Sequence, residues 1–269
     1  ILTIPDSFGL GVEFVEKEGP VFNNPINSSI DISNLDHFDP ESLDYVYKAV
    51  KNIKNSLPEE IPLIGFCGSP WTLAAYSIEG RSSKDFEKTL NFLVSNQKDV
   101  HNLLTKYTDA CFLYLRRQVQ SGADVIQIFD SWANLLTKEG LIEYSFNYIN
   151  ALISALKLDP VTKNIPVIVF ARNPKCNIEG LINTSADCIS LFWSMNDLNF
   201  ELAKNKVAIQ GNLDPKILLE SDEIIKRETY KILEKFEKYP GYIFNLGHGI
   251  TPDINPDKIK YLTNIVREY

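Results

Sequence analysis

Short β-branched and aliphatic runs recur along the chain, each followed by a longer stretch whose apolar positions fall three and four apart. The runs are ILTI (1–4), PLIGF (62–66), DVIQIF (124–129), PVIVFA (166–171), CISLF (188–192), VAIQG (207–211) and YIFNLG (242–247). Most are continuously apolar rather than alternating, the pattern of strands covered on both faces. Between them, 39–57 opens on Asp39-Pro40 and carries Leu43, Val46, Val50 and Ile53 at helical spacing. The stretch 97–121 sets Val100, Leu103, Leu104, Tyr107, Cys111 and Leu115 on one stripe. Further helical patterns cover 137–157, 222–237 and 256–269, the last starting at Pro256-Asp257, a favoured helix start.

Strand–helix alternation without a run of consecutive strands predicts a parallel sheet in an α/β fold. Seven strands are expected from these runs. An open doubly wound sheet could use seven, whereas a (β/α)8 barrel needs eight. No repeat, low-complexity tract or linker interrupts the chain, so a single domain over 1–269 is expected. The segment 13–38, rich in Gly, Pro and Asn, is expected to form a hairpin and a long loop on the rim.

The 269 residues, 44% of them hydrophobic, suffice for a sizeable core. A net charge of −8 with scattered bases argues against a nucleic-acid surface but leaves room for a local basic pocket. No apolar run approaches the roughly 20 residues of a membrane span. Cys67, Cys111, Cys176 and Cys188 form no CxxC pair, which reads as thiols kept in the core of a protein from a reducing compartment. Residue 1 is Ile and no secretory pattern follows it, as for a chain entered part-way.

In parallel α/β folds the chemistry collects at the carboxyl ends of strands. CGSPWTLAAYSIEG follows the second run, with Ser69 placed to cap a helix and Tyr76 two turns into it. Asp130 and Ser131 follow the third run, Arg172 the fourth, NLDP the sixth and His248 the last. Taken singly, Tyr76 is a packed helix tyrosine, Asp130 and Ser131 are helix caps, and Asn212 and Asp214 are turn residues. His248 stands apart, because Gly247 and Gly249 on either side would let backbone approach a ligand and leave the imidazole unobstructed. No HxH, HExxH, CxxC, GxGxxG or Walker pattern is present, and a Ser–His–Asp triad has no nucleophile elbow to support it.

Four of these stretches together resemble the uroporphyrinogen decarboxylase family: PLIGFCGSPWTLAAYSIEGRSSKDF (62–86), GADVIQIFDSWANLL (122–136), QGNLDP (210–215) and NLGHGITPDINPDKI (245–259). Residues 1–22 resemble that family's segment after its second strand, so the likeness runs end to end. The resemblance implies a (β/α)8 TIM barrel with its first strand and helix missing from this chain. It also implies a homodimer and a carboxy-lyase working without metal or organic cofactor. The implied reaction removes CO2 from the four acetate side chains of uroporphyrinogen III, giving coproporphyrinogen III. By motif, Tyr76, Ser131 and His248 match substrate-contacting residues, Tyr76 and His248 with catalytic roles. Phe129 matches a phenylalanine lining the cleft, and Arg172 stands where related sequences often carry a base.

Two departures accompany the resemblance. An arginine-rich RQAGRY-like segment is absent, and the family's charge-stabilising aspartate would stand one residue before Ile1. This chain alone is therefore expected to be inactive or nearly so. In LFWS (191–194), Phe192 stands where the family usually has Asp. The alternatives are a zinc-dependent corrinoid or thiol methyltransferase of a related barrel family, whose zinc ligands are missing here, and a non-catalytic tetrapyrrole-binding paralogue. No membrane or nucleic-acid partner is expected. Cytoplasm is the default location, with a plastid or other organelle left open by the missing amino end.

Overall fold

The structure, a computed structural model, describes residues 1–16, 18–172, 178–195 and 202–269. Strands β1 (Val12–Val15) and β2 (Gly19–Phe22) form the expected antiparallel hairpin. Six further strands, β3 (Ile64–Gly68), β4 (Val125–Asp130), β5 (Val167–Ala171), β6 (Cys188–Ser190), β7 (Ala208–Gln210) and β8 (Tyr242–Ile243), make one sheet. Each pairs in parallel with the next in chain order. A doubly wound sheet reverses its strand order at a switch point; this sheet does not, and its order is that of successive staves of a (β/α) barrel.

The first predicted strand is a correction. ILTI is not extended: Thr3–Pro5 is a helical turn continuing into a second turn over Asp6–Leu10. A short apolar run can be buried equally well as strand or helix, and periodicity cannot separate the two. Here Ile4 is fully buried in the helical form. A second difference lies in the helix Asp44–Ser56, where Tyr47 is buried and Ile53 is exposed, so the apolar stripe runs through Tyr47.

The longest helix, Gln97–Gln120, buries the whole predicted stripe. It packs against β3 and against the helices Pro70–Glu79 and Asn147–Leu158. Its Gln118 amide donates to the carbonyl of Phe66 and accepts from its N–H, both at 3.0 Å, tying the helix to the β3 backbone. Two aspartates repeat one device at strand starts. Asp124, just before β4, accepts from Leu63 N–H and from Lys54 Nζ at 2.7 Å each. Asp187, just before β6, accepts from Val167 N–H and Lys157 Nζ, again at 2.7 Å. Each thereby joins its own strand to the start of the preceding one and to a lysine from a helix.

The strands are in register along one row: Gly68, Phe129, Phe170, Ser190, Gln210 and Ile243 are successive partners. That row, at the carboxyl ends, forms the base on which the site is built.

Candidate active site

Asp130 ends β4 and is completely buried. Its carboxylate accepts from Ser69 Oγ and Thr72 Oγ1 at 2.9 Å each, and from Ser145 Oγ. Burial pushes its pKa up, against the pull of these hydroxyls. A buried carboxylate is tolerated when its lone pairs are met in this way. Ser69 also caps the Pro70–Glu79 helix, accepting from Thr72 N–H, as its place before Pro70 predicts. One carboxylate thus fixes the mouths of β3 and β4 and the helix that carries Tyr76.

Immediately beyond Asp130, Ser131 faces the cavity and Trp132 is held through its carbonyl by Trp71 Nε1 at 3.0 Å. Tyr76 meets Trp132 edge-on at 5.7 Å. Arg172, whose N–H donates to the Asp130 carbonyl at 3.0 Å, lays its guanidinium over Trp132 at 5.7 Å and Phe192 at 5.8 Å. Aromatic faces hold a guanidinium by its charge while leaving its N–H donors uncommitted. His248 completes the ring, edge-on to Phe192 at 5.8 Å and to Phe170 at 6.3 Å. Partial burial, and after it the Arg172 charge, hold its pKa below the ordinary imidazole value, so it is neutral at pH 7. Burial raises the pKa of Tyr76, which keeps its phenolic proton.

Beside these groups lies a cavity of about 350 Å³ lined by Phe129, Ser131, Phe170 and His248, with Gln127 and Ser190 below and the 245–250 segment along one side. Phe129, Ser131 and His248 therefore line one cavity. Tyr76 and Arg172 stand at its side, joined to it through Trp132 and Phe192. Among the described residues, no group of three His, Cys, Asp or Glu is placed to hold a metal ion.

The uroporphyrinogen decarboxylase (URO-D) family model matches residues 1–269, the whole chain. This chain belongs to the uroporphyrinogen decarboxylase family. It is 42% identical to the uroporphyrinogen decarboxylase of Ruthia magnifica over 100% of this chain and 78% of that protein. With the same enzyme from Legionella pneumophila (strain Corby) it shares 40% identity, over 100% of this chain and 76% of the relative. Among solved structures it is similar to a methyltransferase from Methanosarcina mazei. That match has a TM-score of 0.78 at 18% identity, covers 100% of this chain and 78% of the other, and speaks for the fold alone.

Within this member of the uroporphyrinogen decarboxylase family both glycines about His248 line the cavity, and they differ in what surrounds them. A Cβ on Gly247 would lie 2.4 Å from Trp193 N and 2.5 Å from its Cα, so Gly247 makes room for the Trp193 backbone. Gly249 faces open space. Asn212 Nδ2 donates to the Phe192 carbonyl at 3.2 Å, holding the mouths of β6 and β7 together. Cys67, Cys111 and Cys188 are buried thiols; Cys176 lies outside the described residues.

Reading only the residue after each strand misses Gln127, Phe170 and Ser190, which lie within strands. Two-residue alternation from Phe129 does point to Gln127, because residues two apart on a strand share a face.

Proposed function

We propose that the protein decarboxylates the four acetate side chains of uroporphyrinogen III to give coproporphyrinogen III, as a cytoplasmic homodimer. Family membership supplies the reaction. The observation that carries the site assignment is the convergence of Ser131, Phe129 and His248 on one cavity, with the Arg172 guanidinium and the Tyr76 hydroxyl at its side.

Each step replaces –CH2–COO⁻ and one proton by –CH3 and CO2. Protonation of the ring carbon next to the one bearing the acetate gives an iminium-like ring, an electron sink conjugated to the acetate-bearing carbon. Loss of CO2 sends the C–C bonding pair into that ring, and the exocyclic carbon then takes a proton as the ring carbon gives one up. The protein has to hold a polycarboxylate, manage protons and keep water away. Arg172 pairs with a substrate carboxylate, since no described residue accepts from its side-chain N–H donors and the Trp132 and Phe192 rings hold the guanidinium in place. Ser131 and protonated Tyr76 donate to oxygens. Neutral His248 can accept a proton at one ring nitrogen and donate from the other, which suits it to proton handling at the exocyclic carbon. Phe129 and Phe170 supply apolar walls for a pyrrole face.

The test is anaerobic incubation of the protein with uroporphyrinogen III, separating products by carboxylate count. Stepwise loss of carboxylates ending at four is expected, with His248→Gln slowed at least about tenfold. A folded protein that leaves all eight carboxylates in place would overturn the proposal.

A further inference from the structure

Below the rim residues, the cavity floor carries two polar side chains that take no part in binding there: Gln127 on β4 and Ser190 on β6. Gln127 is 6% exposed and Ser190 3%, yet both line the cavity. Gln210 Nε2 donates to Ser190 Oγ at 3.1 Å, which leaves the Ser190 O–H free to donate in turn. Among the described residues nothing accepts it, and the Gln127 amide has no hydrogen-bond partner. Both side chains open onto the cavity rather than into packed protein, so a ligand entering it meets polar donors that no described side chain engages.

The chemistry of that ligand follows from the donors. Ser190 presents an O–H and Gln127 an N–H, which together suit a group with two acceptor oxygens. Among the described residues no acidic, lysine or arginine side chain lines the cavity, and the Phe129 and Phe170 rings, 6.0 Å apart, wall it. At about 350 Å³ it is far too small for a macrocycle of four pyrroles, but admits one ring edge with a short side chain. We propose that Gln127 and Ser190 form a neutral subsite that receives one carboxymethyl arm of the tetrapyrrole, while Arg172 at the side takes a carboxylate by charge. This rests on the tetrapyrrole reading and adds to it where the short arm goes. Neutral donors orient the carboxylate without the strong ion pairing that would hold it back from leaving as CO2.

The experiment measures dissociation constants by porphyrin fluorescence at fixed ionic strength, for the unaltered protein, Gln127→Leu and Ser190→Ala. The probes are two stable oxidised porphyrins: uroporphyrin, with eight carboxylates including the carboxymethyl arms, and coproporphyrin, with four and methyl groups in their place. Each substitution is expected to weaken uroporphyrin binding about three- to tenfold and to leave coproporphyrin binding within about twofold. Thermal melts check that each variant is folded; should Gln127→Leu fail to fold, Ser190→Ala decides alone. Unchanged uroporphyrin binding, or equal loss for both porphyrins, would overturn the subsite and leave ordered water on the floor. Failure of the unaltered protein to bind either porphyrin would instead remove the tetrapyrrole reading, and the subsite with it.

Discussion

At the scale of single residues, His248 and Gly247 behave oppositely although they are adjacent. The fold lowers the imidazole pKa, by burial first and by Arg172 second, so the unfolded chain binds the proton more readily than the folded one. Stability therefore falls as pH drops from about 6.5, the unfolded value, through the lower folded value, and the contribution is fully present above it. Urea unfolding of the unaltered protein and His248→Gln across pH 5 to 8 should show a steeper acid-side loss in the unaltered protein. Parallel curves would mean that His248 titrates normally. Gly247 contributes by what it lacks. Gly247→Ala must push Trp193 backbone aside and is expected to cost about 1–3 kcal/mol in the same assay, whereas Gly249→Ala, facing open space, should cost little.

At the scale of elements, Asp130 joins β3, β4 and two helices through Ser69, Thr72 and Ser145. Removing the carboxylate strands three buried hydroxyls, so Asp130→Ala is expected to lower stability by about 3 kcal/mol or more, with Asp130→Asn costing less because its amide oxygen still accepts. Denaturant midpoints decide this, and equal losses in the two variants would show that shape rather than hydrogen bonding matters there. Capping is where local sequence and structure agree best: Asp39, Ser69, Asp214, Ser221 and Asn255 each accept from a backbone N–H at the start of their helices. A cap needs only its own side chain and an N–H two or three residues on, so the pattern is visible in the chain. ILTI shows the limit, since a run of four residues is too short to show a period and its form depends on what it packs against.

At the scale of the whole molecule, light scattering on the purified protein is expected to give twice the monomer mass; a monomeric mass at assay concentration would remove the homodimer from the proposal. That the main sheet is parallel was readable because helical patterns separate most of its strand runs, and a helix crossover lets the next strand lie parallel. The strand order was left open between a doubly wound sheet and a barrel. The cavity was less readable. Phe129, Phe170 and Ser190 are neighbours only because three strands share one register, and a shift of one residue would turn each to the other face.

The sequence by itself determined the alternation of strands and helices, the helix caps, and the residues standing at each strand mouth, because these depend on neighbours a few positions away. It also carried the motifs that place the chain in its family. Only the tertiary structure decided which mouths meet around one cavity, that Gln127 and Ser190 lie at its floor, and that Gly247 answers to Trp193. Those outcomes depend on sheet register and on contacts between residues far apart in the chain, which no local pattern encodes.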